Sequence, residues 1–231
     1  MSLAGASTMM VCALCALPAL AQTAGPTGSR VKRPEAAQAP PNLKGADQGR
    51  VTLLRYADCL ADRKPVAVKR ALAMYSTEAS DKALAAMSTS ECLGDGMLRF
   101  GARALHQALY ISLYRHAFGN QVPPLPATPL DFAADQKMPA DYRGLSQFLY
   151  EMKYGECIAR ANEGGAHAVI LAPIASDTET AAFRALVPAI NGCLPAGVRF
   201  SVDRLATAGL LAEVLYKDAR AATSIALAEK K

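Results

Sequence analysis

The sequence has few of the features that identify an enzyme or a membrane protein. Its 231 residues include no Trp, and only 6% are aromatic. No apolar run reaches the roughly 18 to 20 residues that a membrane-spanning helix needs. The motifs G-x-S-x-G, G-x-G-x-x-G and H-E-x-x-H and the phosphate-binding P-loop are all missing. These absences argue against an integral membrane protein. The sequence also contains none of these motifs by which an enzyme class could be recognised.

The composition is typical of a globular protein. Hydrophobic residues make up 52% of the chain and charged residues 19%, with a mean hydropathy of +0.11, which argues against disorder along the whole chain. Residues 22–46 differ because they are rich in Pro, Gly, Ala and Gln, and they predict a disordered basic tether. This tether holds most of the net charge of +5. Since the rest of the chain is nearly neutral, we predict no nucleic-acid partner.

An apolar segment near the start predicts export. Residues 9–20 form this segment, and the tripeptide Ala-Leu-Ala that ends at Ala21 matches the small-x-small pattern of signal-peptide cleavage. We therefore predict a signal peptide at residues 1–21, a periplasmic or secreted protein, and no transmembrane span in the mature chain. A buried or membrane-anchoring apolar helix is the alternative, because residues 1–10 contain no Lys or Arg.

An internal repeat is the most informative feature of the sequence. The segment from Tyr56 to Leu60 reads Y-A-D-C-L, and the segment from Tyr154 to Ile158 reads Y-G-E-C-I. In each copy the same series of motifs follows: a Cys-Leu pair, a Gly, an Arg-Phe pair, and finally Leu-Tyr followed by a basic residue (the Leu-Tyr-base end). In the first copy these are Cys92-Leu93, Gly96, Arg99-Phe100 and Leu113-Tyr114-Arg115. In the second copy they are Cys193-Leu194, Gly197, Arg199-Phe200 and Leu215-Tyr216-Lys217. The two copies lie about 100 residues apart, which indicates a duplication and not a short-period solenoid.

The repeat divides the chain into segments. We predict a first helical repeat at residues 47–118, a Pro-rich linker at 119–140, a second helical repeat at 141–218 and a C-terminal tail at 219–231. The linker is predicted to be extended, without a helix, because its many Pro residues break helices.

Helical patterns dominate both copies. The segment from Ser176 to Glu179 is a capping box, and the helix after it is predicted to end near Pro188. Asp203 is predicted to cap a run that reaches Tyr216, in which an i,i+4 Glu–Lys pair favours helix. Val198–Val202 is the best strand candidate and is short. We therefore predict an all-α fold of two small repeated lobes, with four short helices in each.

Cysteine usage agrees with export. Of six Cys, two lie in the leader and four remain, and an even number in an exported chain favours disulfides. Four Cys allow three pairings, but if the two copies share a fold, each closes its own bridge. We therefore predict the disulfides Cys59–Cys92 and Cys157–Cys193. Each closes a loop of roughly 35 residues, worth about 3.5 to 4 kcal/mol in the chain-entropy description.

The carboxylates Asp58 and Glu156 are the strongest catalytic candidates. They hold equivalent positions in the two copies, and a symmetric groove would place them opposite each other, as a glycosidase requires. Each directly precedes a Cys, however, and is equally compatible with a position facing solvent. The absence of Trp also removes a usual platform for sugar stacking. We therefore assign no catalytic residue and keep an envelope hydrolase as an alternative.

The repeated Arg and the three His give weaker signals. Arg99 and Arg199 are candidates for an anion clamp between the copies, although structural roles beside the neighbouring Phe residues are the simpler interpretation. The sequence positions of His106, His116 and His167 do not match a metal-binding spacing, and we interpret these residues as surface or partly packed. The sequence therefore predicts no metal site and no cofactor.

The repeated Tyr-x-(Asp/Glu)-Cys-(Leu/Ile) opening, the later Cys-Leu and the closing Leu-Tyr-base resemble a group of exported, Ala-rich, duplicated proteins of Gram-negative bacteria that are functionally uncharacterised. The resemblance covers roughly residues 55–217 and implies a periplasmic destination, with no activity and no site residues. We therefore expect a non-enzymatic protein that binds an envelope protein or another envelope component. A small-ligand carrier is a further alternative.

Overall fold

A computed structural model describes residue 43 and residues 45–74, 78–92, 99–119, 121–136, 144–195 and 203–228. All regular elements in these ranges are helical, so the all-α prediction is confirmed. The helices are α1 (Gly45–Arg63), α2 (Pro65–Ala73), α3 (Glu78–Met87), a 3-10 turn (Ser90–Cys92), α4 (Ala102–Phe118), α5 (Phe132–Gln136), α6 (Leu145–Ala161), α7 (Glu163–Leu171), α8 (Asp177–Gly192) and α9 (Arg204–Ala228).

The duplication is visible in the order of the helices. The first copy forms α1 to α4 and the second forms α6 to α9, as predicted from the repeat. Helices α1 and α6 carry the Tyr-x-(Asp/Glu)-Cys openings, and α4 and α9 carry the Leu-Tyr-base ends. No helix in the described ranges combines the length and the apolar character that a membrane span requires.

The two copies share one hydrophobic core. The most extensive packing is between α4 and α9, while α1 packs on α4 and α6 packs on α9. The closest approach of the central pair is at Gly209, where an added Cβ would lie 2.4 Å from the Cβ of Gln107. These residues hold equivalent positions, counted back from the Leu-Tyr-base ends. The two halves therefore meet at matching points.

Charged contacts also join the two copies. Arg115 of α4 donates from Nε to the carbonyl oxygen of Ile170 at 2.8 Å and from Nη2 to that of Ala172 at 3.2 Å. Arg50 of α1 donates to Glu179 of α8, which also accepts from Arg204 at 2.9 Å. Burial by itself would raise the pKa of Glu179, but these hydrogen bonds and the nearby positive charge lower it.

Both predicted disulfides are present, one in each copy. Cys59 is bonded to Cys92 and Cys157 to Cys193, with Cα–Cα distances of 5.7 and 5.9 Å. The Tyr that opens each copy packs against the same part of its own loop. The Tyr56 hydroxyl accepts from the backbone N–H of Thr89, and the Tyr154 hydroxyl donates to the carbonyl of Ile190. Each backbone partner lies three residues before the second Cys of its copy.

Helix α8 begins as predicted but ends later. The Ser176 hydroxyl accepts from the backbone N–H of Glu179 at 3.0 Å, which confirms the predicted N-cap. The prediction that the helix ends near Pro188 is wrong, because α8 continues to Gly192. Pro188 lies on the exposed side of the helix, where water can hydrogen-bond to the backbone carbonyl that loses its partner. The neighbouring residues Ala189 and Ile190 are buried and hold the last turn against the core.

The linker contains a helix that was not predicted. Helix α5 begins after Asp131, whose Oδ1 accepts from the backbone N–H groups of Ala133 and Ala134 at 3.1 and 3.3 Å. The helix fits in a stretch that contains no Pro, and Phe132 anchors it in the core. The expectation of a wholly extended linker was therefore wrong, because one Pro-free turn is enough for capping and burial.

Some predictions concern residues outside the described ranges. These are the signal peptide at residues 1–21, most of the tether at 22–46, the strand candidate Val198–Val202 and the second Arg-Phe pair, Arg199-Phe200. At the other end, α9 continues past residue 218 to Ala228, so the helix enters the segment predicted as a tail.

Candidate functional site

A cavity of about 120 Å³ lies where α4 of the first copy meets α6, α8 and α9 of the second. Its mouth is marked by two exposed side chains, Arg103 and Tyr150. Most of the cavity wall is apolar; it is formed by Phe148, Met152, Ile158, Ile190, Leu210 and Leu211. Gly155 allows this close packing, because a Cβ there would lie 2.8 Å from Leu210 Cγ and would require Leu210 or the helix itself to shift.

One wall of the cavity carries a buried ionic cluster. His106 Nε2 lies 3.2 Å from Glu213 Oε2, and Lys217 Nζ lies 2.8 Å from Glu213 Oε1. Burial by itself would raise the pKa of Glu213, but the charge of Lys217 and the contact with His106 lower it to about 2. Glu213 is therefore ionised at neutral pH, and Lys217 balances its charge.

A second ion pair lies at the mouth. Arg103 Nη2 donates to Glu151 Oε2 at 2.6 Å, and Gln147 donates to the other oxygen of the same carboxylate at 2.9 Å. Beside this pair, the ring of Tyr150 stacks on that of Tyr154 with a centroid distance of 6.3 Å. The charged groups at the mouth and on the inner wall are thus each matched by an opposite charge.

Two polar groups on the cavity wall have no hydrogen-bond partner among the residues that the structure describes. Thr207 is only 7% exposed as a whole residue, and its hydroxyl makes no hydrogen bond to any residue that the structure describes. This hydroxyl is not one of the fully enclosed side-chain atoms without a partner, so it reaches the space inside the cavity. The half-buried amide of Gln107 likewise has no hydrogen-bond partner within the described ranges. These groups are available to an occupant of the cavity or to water.

Three cavity residues, Arg103, His106 and Gln107, come from α4 of the first copy, and the remaining lining residues belong to the second copy. Counted from the shared motifs, Thr207 corresponds to Leu105, and Glu213 corresponds to Ile111. Both apolar residues of the first copy are at most 2% exposed and belong to the core. The duplication thus keeps the backbone arrangement, while polar side chains replace apolar ones along one wall.

The predicted carboxylates do not form a common site. Asp58 lies 3.8 Å from His116 Nε2 in the first copy, whereas Glu156 accepts from Arg160 at 3.1 Å in the second. Neither carboxylate lines the cavity, and the packed α4–α9 pair lies between their helices. The paired arrangement that a glycosidase needs is therefore not formed by these two residues.

Asp218 is the least satisfied charged group that the structure describes. It occupies the position equivalent to His116, and both of its carboxylate oxygens are buried without a hydrogen bond to any described residue. Burial raises the pKa of Asp218 to about 6, with a further contribution from the charge of Glu156. The carboxylate does not line the cavity and is a site of electrostatic strain in the second copy.

The three His residues have specific neighbours. The interpretation of His106 as a surface or partly packed residue was wrong, because it is buried beside Glu213. His116 lies near Asp58 and 3.9 Å from Asp62, while His167 Nδ1 lies 2.7 Å from the hydroxyl of Tyr114. Within the described part of the chain, no group of three or more His, Cys, Asp or Glu has a geometry that would hold a metal ion.

Of the two predicted Arg-Phe pairs, the structure describes the first. Arg99 is exposed, while the ring of Phe100 packs 5.6 Å from that of Tyr56. The Phe therefore has the expected packing role. Neither residue lines the cavity between the copies.

Comparison with protein-family models, with curated proteins and with solved structures finds no match. The case for a functional site therefore depends on the geometry of the chain itself. One signal of the site was present in the sequence. When the two copies are aligned, Thr207 matches Leu105 and Glu213 matches Ile111. Polar residues are unusual at helix positions that face the core.

Proposed function

We propose that this chain is an exported, periplasmic, non-enzymatic protein that binds an envelope protein or another envelope component through the cavity between its two copies. The main support for the proposal is a difference in side chains at equivalent positions of the two copies. Buried Leu and Ile of one copy become Thr207 and Glu213 in the other, where they line a cavity with an open mouth. Ligand-binding cavities are usually lined by apolar side chains together with a few polar groups that orient the ligand.

The compartment in this proposal has two independent supports. The two disulfides are typical of proteins in an oxidising, extracytoplasmic environment. Residues 1–21 have the apolar core and the cleavage pattern of a signal peptide. A basic tether at residues 22–46 would let the helical part reach an anionic surface or a partner at some distance.

A binding role fits the geometry better than hydrolysis does. A hydrolase that used the repeated carboxylates would need Asp58 and Glu156 to act on one substrate, yet each pairs with a residue of its own copy. A small-ligand carrier remains a second candidate, because the cavity is partly enclosed and has an apolar floor. Ligand-dependent thermal stabilisation would support that candidate.

Site-specific photo-cross-linking in the envelope tests the proposal. The chain is expressed with its leader and a C-terminal tag, and a photoreactive phenylalanine replaces Tyr150 at the mouth. The matched control carries the same group at Val66, which is 71% exposed on α2. We expect one defined adduct from position 150 on a non-reducing gel and none of that mass from position 66.

Two further variants connect the adduct to the cavity. Ala206→Leu places a larger side chain in the cavity wall, and Ala104→Leu makes the same change at the equivalent position of the first copy, outside the cavity. The proposal predicts that Ala206→Leu abolishes the adduct and that Ala104→Leu keeps it. Equal adducts from both photoreactive positions, or no adduct from either, would contradict it.

A further inference from the structure

We infer that the cavity between the copies receives a neutral hydroxylated ring, of which the 4-hydroxyphenyl group is the best fit. This inference rests on the proposed function, because it specifies the occupant of the same site. Four properties of the cavity lead to it: its size, its charge balance, its unpartnered polar groups and its aromatic mouth.

The size of the cavity fits one ring. An engineered apolar cavity of about 150 Å³ in another protein binds benzene, and this cavity is about 120 Å³ with an opening to solvent. Phe148, Met152 and Leu211 provide the apolar contacts that a ring requires. A larger body would have to extend through the mouth, beside Tyr150.

The charge balance favours a neutral occupant. The Glu213 carboxylate is matched by Lys217, and Glu151 is matched by Arg103. A carboxylate or an ammonium group that entered the cavity would therefore be buried without a counter-ion, which is costly. A neutral ligand avoids this penalty.

The unpartnered groups select a hydroxyl on the ring. The Thr207 hydroxyl and the Gln107 amide each donate and accept hydrogen bonds, and neither has a partner in the part of the chain that the structure describes. A hydroxyl can satisfy one or both of them. A plain hydrocarbon ring would displace water and leave both groups unsatisfied.

Two sources can present this chemistry. One is a free phenolic compound, and the other is a Tyr side chain of an envelope protein, a residue type that often anchors protein interfaces. The open mouth, where Tyr150 is 42% exposed, leaves room for the rest of a polypeptide. The experiment therefore compares a free phenol with a Tyr side chain that is attached to a peptide unit.

The test uses the mature, disulfide-bonded protein and ligand-observed NMR titrations. Four probes of similar size differ in one group each: 4-methylphenol, toluene, benzylammonium and benzoate. We expect 4-methylphenol to bind tightest and the two charged probes weakest. Equal affinity for toluene, or tighter binding of a charged probe, would overturn the inference.

Variants test where the ring binds. Thr207→Val removes the hydroxyl at nearly constant volume, and we expect it to weaken 4-methylphenol roughly three- to ten-fold while the affinity for toluene is unchanged. Thr52→Val on the exposed face of α1 is the matched control and should change neither affinity. Ala206→Leu should abolish binding of 4-methylphenol, and Ala104→Leu should not. Unchanged affinity in both cavity variants, with an intact fold by circular dichroism, would refute the assignment.

A further arm separates the two sources and the two proposals. Binding of N-acetyl-tyrosinamide as well as 4-methylphenol supports a Tyr side chain, and binding of 4-methylphenol alone supports a free compound. If 4-methylphenol binds but no cross-linked adduct forms at position 150, the ring site stands and the envelope-partner proposal fails. If the adduct forms and 4-methylphenol neither binds nor competes with it, the partner stands and this inference fails.

Discussion

In the first copy, Leu53, Leu105 and Ile111 are buried in the apolar core around α1 and α4, although Leu105 also borders an open cavity of about 330 Å³ beside α3. In the second copy, the equivalent positions hold Glu151, Thr207 and Glu213, and the same arrangement of helices encloses a cavity. The backbone elements correspond, so the difference comes from the side chains. A duplication of this kind lets one copy supply stability while the other carries buried polar groups that cost stability.

A second pair of equivalent clusters shows the same divergence in charge. Asp62 and His116 lie near each other in the first copy, and their counterparts in the second are Arg160 and Asp218. The acidic residue of the pair thus lies on the first helix of one copy and on the last helix of the other. Asp218 is buried without a hydrogen bond to any described residue, whereas His116 is partly exposed beside two carboxylates.

Breaking the ionic cluster of the second copy should have the largest effect. Glu213→Gln leaves the buried ammonium of Lys217 without its counter-ion, and we expect a loss of about 3–5 kcal/mol of unfolding free energy. Chemical denaturation measures this loss. The matched control is the double variant Glu213→Ile and Lys217→Met, which replaces both charges of the pair with apolar side chains and should cost far less. If Glu213→Gln is as stable as the double variant, Glu213 does not balance the charge of Lys217.

Removing one disulfide at a time compares the two copies directly. The double variants Cys59→Ala with Cys92→Ala, and Cys157→Ala with Cys193→Ala, should each lose about 3.5 to 4 kcal/mol. The two losses should be similar, because the bonded residues are 33 and 36 apart in sequence. Urea denaturation under oxidising conditions measures both. A loss confined to one copy would show that the bridges differ in importance.

Exchanging residues between the copies should give opposite results. Leu105→Thr replaces a buried Leu that is 1% exposed with a polar residue in the core of the first copy, and we expect a loss of about 2–4 kcal/mol. Thr207→Leu fills the cavity and removes a polar group that has no described partner, so stability should change by less than about 1 kcal/mol or increase. Thermal denaturation of both variants checks the contrast. Losses of equal size would mean that Thr207 is packed as tightly as Leu105.

The pH dependence of stability should identify Asp218. Its native pKa is raised to about 6 from 3.8, so the native state holds a proton that the unfolded state has lost. Stability therefore falls as pH rises from about 4 to about 6 and is not lost further above that range. Asp218→Asn should remove this fall and stabilise the protein at pH 7 by up to about 2 kcal/mol. Denaturation at pH 4, 5, 6 and 7 tests the sign, and an unchanged profile in the variant would contradict it.

The sequence predicts the local structure of each copy better than the contacts between copies. Repeat symmetry is enough to pair the cysteines, and capping chemistry is enough to begin α8 at Ser176. The partner of His106 could not be predicted, because Glu213 belongs to the other copy and periodicity describes one helix at a time. The same limit applies to Glu213 and Lys217, whose spacing indicates a helix but does not show that tertiary packing buries them.

The most direct test of the division between the copies is a methyl NMR titration of the mature protein with 4-methylphenol. Assigned methyl groups of Ile158, Ile190, Leu210 and Leu211 report on the cavity, and those of Leu60 and Leu109 report on the core of the first copy. We predict saturable shifts at the cavity methyls and none at Leu60 or Leu109. Shifts centred on the first copy, or no saturable shift in either, would contradict the assignment of the second copy as the binding half.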